Sequence, residues 1–487
     1  METIENRMEM FKKYLDRTHM EHKQYQYDGV RWCLKNELRD DPPCGVHGGF
    51  IADEMGLGKT IMMIGLMYSN FVGKTLVILP PILIDQWFVQ IYKTTGHKAL
   101  IYHGDDKKTI TLEKLKAATI VISTYGAITL TSKQIKEKSI TMLHKVSWGR
   151  VIFDEAHHLR NSKTTRYIGA RLLSAKSRWI VSGTPIQNKK QDFYSLCALI
   201  RLPASYYTEP ENLRELARSF ILKRTKASVG IQMTDIHIDK NVVDWASQKE
   251  MSLSEELHSA LSFSRVNPEK GVNKQIIGAL RNGGTLAIML RAKQSCIYPK
   301  LMEKKLDFLV NKGLLSDYSA YKDAFDHSSK LTAAINAILE RKDNGCGKLI
   351  FCHFREEIDE IATRLREGGM NKVATFDGRT SNGKRYDILN DKNDALILQI
   401  QTGCEGLNLQ ENYSEIYFIS PHWNPAVEDQ AIARCHRIGQ TKPVYVKRFE
   451  MSSFATEEDE ITTRTIDKYV GDIQEVKRII ANEIIAE

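Results

Sequence analysis

The chain has no apolar run long enough to cross a bilayer. Its longest, Leu76 to Ile84, is short and broken by Pro80-Pro81, whereas a spanning helix needs about 20 apolar residues. The amino-terminal METIENRMEMFKKYLDR carries charges throughout, which excludes a secretory signal peptide. No Cys-x-x-Cys occurs. The eight cysteines (33, 44, 197, 296, 346, 352, 404, 435) are scattered, which argues against a zinc site or a disulfide frame and for reduced, mostly buried thiols in a reducing compartment. There is no internal repeat and no low-complexity tail. Charge of one sign is not in large excess: +9 on 487 residues is compatible with a polyanionic partner and is weak evidence for one. A content of 42% hydrophobic and 26% charged residues is that of a soluble globular protein, with length for roughly two to four domains.

The richest chemistry lies in DEMGLGKT, Asp53 to Thr60. It follows the apolar Phe50-Ile51-Ala52 and precedes the apolar stretch Ile61 to Met67, which predicts strand, glycine loop and helix. Gly56 and Gly58 let the backbone turn its N–H groups inward with no Cβ in the way. The helix amino terminus adds positive potential, so the loop suits phosphates. The expected nucleotide cradle is Asp53, Glu54, Met55, Gly56, Leu57, Gly58, Lys59, Thr60 and Ile61. Lys59 would reach the β- and γ-phosphates, and the Thr60 hydroxyl would bind Mg²⁺. One departure is visible: the strict phosphate-loop pattern has Gly where Asp53 stands.

Four further apolar runs end in polar or glycine residues: Leu76–Leu79, Ile120–Ser123, Val151–Phe153 and Trp179–Val181. With the strand before Asp53 they predict five strands of a parallel α/β sheet, whose ligands sit at the carboxyl ends. Asp154, at one such end, is placed to hold Mg²⁺ through water. Glu155 beside it can orient and polarise the attacking water. A Gln side chain both donates and accepts, so Gln26 can pair with an adenine edge; taken alone, the residue reads better as a surface glutamine.

DEMGLGKT, DEAH (154–157) and SGTPIQN (182–188) in this order resemble motifs I, II and III of superfamily 2 helicases. More narrowly, the chain resembles the Swi/Snf-related family of DNA-translocating ATPases. Tyr25-Gln26 is similar to that family's adenine-reading Q motif, LVILPPILIDQW to motif Ia and STYGAI to motif Ib. FILKRTKASVG resembles the family's LRRTK signature, LRAKQSCIYPKL its LRQICNHPYL segment, and FDGRTSNGKR its DGSTS segment. HWNPAVEDQAIARCHRIGQ is similar to its WNP and motif VI strings. Motif V departs: Cys404-Glu405-Gly406-Leu407-Asn408 stands where the family usually shows Ala-Gly-Gly-Leu-Gly, and Glu405 adds negative charge.

The resemblance implies two RecA-like parallel-sheet α/β lobes, 1–225 and 326–470, with a helical linker and protrusions over 226–325 and a terminal helix, 471–487. It implies ATP and Mg²⁺ as cofactors and double-stranded DNA as partner, with Gln86, Thr124, Arg379, Thr402 and Trp423 as candidate nucleic-acid contacts. Gln430 would lie near the γ-phosphate. Arg434 and Arg437, three apart, are expected on one helix face, entering the site as the lobes close, since a guanidinium forks onto phosphate oxygens. The terminal helix would brace the second lobe or dock a protein partner. The implied activity is a duplex-DNA-stimulated ATPase that moves along DNA in transcription, repair or replication. The implied setting is a nucleus or cytoplasm, a virus-encoded protein included. Two alternatives stand beside it: a strand-separating DEAH-type helicase on RNA or DNA, and an inactive nucleic-acid scaffold.

Overall fold

The computed structural model describes residues 3–183, 190–264, 275–280, 284–403, 407–454 and 463–486. Two compact units divide the chain: Met1–Gln232 with Ile479–Glu487, and Met233–Arg478. Each unit is built on a sheet whose strands all run parallel to their neighbours.

The first sheet holds β1 (His47–Ile51), β2 (Thr75–Leu79), β3 (Leu100–Tyr102), β4 (Ile120–Thr124), β5 (Ser147–Asp154), β6 (Ser174–Val181) and β7 (Ile221–Leu222), in the order β3-β4-β2-β5-β6-β1-β7. A parallel sheet is covered by helices on both faces, so its strands are apolar without alternation. Leu76 and Ile78 point into one core with Phe50, Val151 and Phe153. Val77 and Leu79 point into the other with Ile51, Ile152 and Trp179. That is the twofold side-chain period of a strand. All four β2 residues from Leu76 to Leu79 are fully buried, which at roughly 1.5–3 kcal/mol per large side chain makes this strand a major source of stability. The five expected strands are present. β3 and β7, of three and two residues, were not expected.

The second sheet holds β8 (Ile236–Val243), β9 (Gly347–Cys352), β10 (Val373–Phe376), β11 (Ala395–Gln399), β12 (Tyr413–Phe418) and β13 (Val444–Met451), in the order β10-β11-β9-β12-β13-β8. β8 lies within 226–325, the stretch expected to hold a helical linker and protrusions. It pairs with β13 along its whole length, from Ile236↔Val444 to Val243↔Met451. Its IHIDKNVV sequence is mostly exposed, as befits an edge.

Helices of that stretch, Gln248–Ser259, Gly284–Ile297 and Glu303–Asn311 among them, share a core with Met451, Ile466 and Val470 of the same unit. The first of them is capped by Ser247, whose hydroxyl accepts from Glu250 N. Five cysteines (33, 197, 296, 352, 435) are buried thiols and Cys44 is exposed. No helix among the described residues is long and apolar enough to cross a membrane.

Candidate nucleotide site

In the first unit, β1 leads into the glycine loop and the helix Lys59–Ser69 follows it. Gly56 and Gly58 both adopt positive φ, +94° and +80°. The left-handed φ of Gly58 favours glycine, and a Cβ there would also meet Gln26 Nε2 at 2.5 Å and push the Q-motif side chain aside. Gln26 is buried and donates to the Leu57 carbonyl at 3.3 Å; it is a buried loop contact and not a surface glutamine. Lys59 Nζ donates to the carbonyls of Asp53 (2.8 Å) and Glu54 (3.3 Å). Thr60 is the second residue of the helix, at its positive end. Gly183 closes the opposite side: a Cβ there would lie 3.0 Å from Met55 Cγ and 3.3 Å from Lys59 Nζ.

The departure at Asp53 has a structural reason. Asp53 is fully buried, and Arg224 of the LKRTK stretch forks onto its carboxylate, with Nε on Oδ1 at 3.0 Å and an Nη2 contact to Oδ2. The same guanidinium donates to the Tyr25 carbonyl and sits 5.5 Å from the Tyr25 ring centre. Lys226 pairs with Glu54 at 3.0 Å, and its backbone N–H donates to the same carboxylate at 2.7 Å. Two cations 171 and 172 residues away along the chain thus clasp the first two residues of the loop. Sequence reading missed Arg224 and Lys226 as site residues; an aspartate in a glycine position was the available signal.

Asp154 ends β5 and is buried. Burial first, and the charge of Glu155 second, push its carboxyl above the usual carboxylate range, while the Trp87 hydrogen bond and Lys59 pull it back. Glu155 stands in the left-handed region, φ 50° and ψ 48°, an uncommon conformation for a non-glycine residue. Its N–H donates to Asp154 Oδ1 at 3.0 Å, and His157 Nδ1 lies 3.4 Å from its Oε2. Two adjacent acids, one buried, beside a lysine and a positive helix end are a donor set for a divalent cation and a polyphosphate. The residues therefore fit ATP and Mg²⁺: Gly56 to Thr60 and Gln26 would hold the nucleotide, and Thr60 and Asp154 the metal. Bound Mg²⁺ would neutralise phosphate charge.

In the second unit, the helix Pro425–Ile432 ends before Arg434 and Arg437, so these do not share a helix face as expected. The Arg434 carbonyl is taken by Leu409 N–H at 3.0 Å, and Cys435 and His436 are held by Tyr413 and Thr234. These tertiary bonds draw the chain off the helical path. The two arginines remain electrostatic neighbours. Burial, and then Arg434, hold the Arg437 guanidinium below its usual pKa. Arg437 donates to Asn408 Oδ1, and Arg434 Nε is buried with no hydrogen-bond partner among the described residues. Gln430 is buried on the same helix.

Of the nucleic-acid candidates, Gln86 is exposed and Thr124 is buried at the end of β4, 3.4 Å from His103 Nδ1. Arg379 is half-exposed and held by Asp359 and Asp377. Trp423 is half-buried, packed on the helical core with its ring edge toward Tyr469. The Thr402 side chain, Cys404 to Gly406, and Thr184 to Asn188 of motif III lie outside the described residues. Residues 466–478 of the terminal helix Ile466–Ala486 brace the second unit. Gln474 donates to the His422 carbonyl and to Glu428 at 2.7 Å, Lys477 to the Trp423 carbonyl, and Arg478 pairs with Asp429.

A parallel sheet with a clasped phosphate loop and an adjacent acid pair defines a helicase-type ATPase unit. Comparison with known proteins agrees. The SNF2-related domain matches residues 25–210 and the helicase conserved C-terminal domain residues 329–439. Together they cover more than half of the chain, and the chain belongs to the SNF2-related family of ATPases. It is 27% identical over 485 residues to the "Probable global transactivator" of Orgyia pseudotsugata multicapsid polyhedrosis virus, covering 95% of this chain and 91% of the viral protein. It is 26% identical to the "DNA excision repair protein ERCC-6-like" of Bos taurus over 91% of this chain but 41% of that protein. Among solved structures, the Sulfolobus solfataricus SWI2/SNF2 ATPase core in complex with dsDNA aligns over 95% of this chain and 96% of that one, at 22% identity and a TM-score of 0.38.

Proposed function

We propose that the chain is an ATP- and Mg²⁺-dependent translocase on double-stranded DNA. The observation that carries the reading is the convergence of Lys59, Asp154 and Glu155 on one glycine-built loop, with Arg434 and Arg437 on a short turn of the second unit. In this reading Lys59 holds the terminal phosphates, Asp154 the metal, and Glu155 orients the water. Arg437 and Arg434 stabilise the transferring phosphoryl group, with Gln430 beside it, when the units close. Hydrolysis then reports closure, which is how a chemical step drives a stepping motion.

Duplex backbone contacts through the Gln86, Thr124, Arg379 and Thr402 segments, with Trp423 as a further candidate, suit movement along any sequence, because phosphates carry no base information. The viral and excision-repair relatives support a role on DNA in transcription or repair, and the free, mostly buried thiols suit a reducing compartment. The test is phosphate release with duplex DNA, single-stranded DNA and RNA at several salt concentrations. Duplex DNA is expected to stimulate most, with an effect that falls steeply with salt. Equal stimulation by RNA would replace this reading with a strand-separating helicase, and absence of hydrolysis would leave a scaffold.

A further inference from the structure

Two buried aromatic side chains reach the metal-binding aspartate from the two turns that carry candidate nucleic-acid contacts. Trp87 Nε1 donates to Asp154 Oδ2 at 2.7 Å, and Tyr125 OH donates to the Asp154 backbone carbonyl at 2.6 Å. Both rings are almost fully buried. Trp87 lies in the first turn of the helix Ile84–Thr95, next to the exposed Gln86. Tyr125 directly follows Thr124 at the end of β4 and precedes the exposed Gly126.

The Tyr125 bond acts on the peptide that joins Asp154 to Glu155. That peptide sets the left-handed φ of Glu155, a conformation that costs of order 1–3 kcal/mol and persists only where the surroundings over-determine it. Tyr125 from one side and the Asp154 carboxylate, accepting from Glu155 N–H, from the other provide that determination. The Trp87 bond acts on the carboxylate itself. An N–H donated to a charged acceptor is among the stronger hydrogen bonds a protein makes, and it fixes which way Asp154 faces. A small shift of either turn therefore moves an acid of the nucleotide site, through one bond and no intermediary.

We propose that Trp87 and Tyr125 are positioning residues through which duplex DNA, bound at the Gln86 and Thr124 turns, sets the orientation of Asp154 and Glu155 and thereby raises the hydrolysis rate. The proposal rests on the duplex-DNA reading above. Its test uses the full chain as wild type, Trp87→Phe and Tyr125→Phe. Phosphate release is measured at saturating ATP, with and without saturating duplex, and duplex affinity by fluorescence anisotropy. Each variant is expected to keep its duplex affinity within about twofold and to lose about tenfold in the ratio of stimulated to unstimulated kcat. Impaired folding lowers both rates by one factor and leaves the ratio alone. Tyr125→Phe, which removes one oxygen, decides the matter if Trp87→Phe does not fold. A wild-type ratio in the soluble variants overturns the tether. A wild type that duplex DNA does not stimulate overturns the translocase reading, and the tether with it.

Discussion

The two units solve the amino ends of their sheets alike and the carboxyl ends differently. In the first, Arg150 at the start of β5 is buried against Glu37, with Nε to Oε1 at 2.6 Å, and Trp179 and Asn70 satisfy the same carboxylate at 2.8 and 2.7 Å. In the second, Glu415 near the start of β12 takes Arg341 at 2.6 Å, Asn344 at 2.7 Å and, more distantly, Lys348. Both ends are closed by a carboxylate surrounded with donors, as buried charge requires.

At the carboxyl ends the likeness stops. The first unit has glycines, a lysine lying on backbone carbonyls, and an acid pair whose charges oppose each other. The second has a network closed on itself. Lys330 is buried against Asp467 and donates to Ser420 at 3.2 Å, Ser420 donates to Asp467 at 2.9 Å, and Lys293 donates to the Pro421 carbonyl at 2.7 Å. These cations already have partners, and a polyphosphate could reach them only by breaking those bonds. Among the described residues, the buried Arg434 Nε has no hydrogen-bond partner, so the turn bearing Arg434 and Arg437 remains the second unit's candidate contributor to the site.

The largest expected effects fall on that contrast. Lys59→Ala and Glu155→Gln should abolish turnover, the latter with ATP binding retained, as read by phosphate release and by a fluorescent nucleotide. Arg437→Ala should lower kcat by about 10³-fold or more, with the melting temperature unchanged. Normal turnover in Arg437→Ala would mean that the second unit supplies no catalytic group. Asp467→Ala should do the reverse. It strands the buried Lys330 ammonium, and breaking a buried pair from one side costs about 3–5 kcal/mol. Chemical denaturation should show that loss, while the folded fraction keeps its kcat per active site.

Legibility in the sequence followed the range of the interactions. The runs around Val77, Ile122, Ile152 and Ile180 announced their strands because a doubly covered sheet leaves no room for polar residues. β8 escaped notice because an exposed edge, IHIDKNVV, carries no such signature, and β7 because two residues carry no pattern. The phosphate loop and DEAH were legible as local chemistry. The Arg224–Asp53 fork was not, since 171 residues separate the partners. The helix assigned to Arg434 and Arg437 failed for a related reason: past Ile432 the Arg434 carbonyl takes the distant Leu409 N–H, a partner no local pattern announces.

A pH titration sharpens the comparison from the side of the closed network. His258 is buried; its Nε2 accepts from Ile466 N–H at 2.9 Å and its Nδ1 donates to the Ser254 carbonyl at 2.7 Å, with Asp467 nearby. Burial drives its pKa down from 6.5 to about 4. The unfolded chain therefore takes up a proton below about pH 6.5 that the folded chain refuses until about pH 4. Stability is full above that window and is lost as the pH falls through it, by about 3 kcal/mol at the lower end. Denaturation midpoints from pH 7.5 to 5 should fall more steeply for wild type than for His258→Gln. Parallel slopes would remove His258 from the account.

The smallest expected effect tests the clasp on the open side. Arg224→Lys keeps a positive charge near Asp53 but cannot fork onto both carboxylate oxygens and the Tyr25 carbonyl. The buried Asp53 keeps a counter-charge, so the fold should hold and the midpoint should move little. What loosens is the start of the phosphate loop, whose Asp53 carbonyl also positions Lys59 Nζ. A looser cradle weakens ground state and transition state together, so KM for ATP should rise by about tenfold with kcat nearly constant. If kcat fell instead and KM stayed, Arg224 would be acting on the chemical step, and the clasp would belong with Lys59 and not with the framework that holds it.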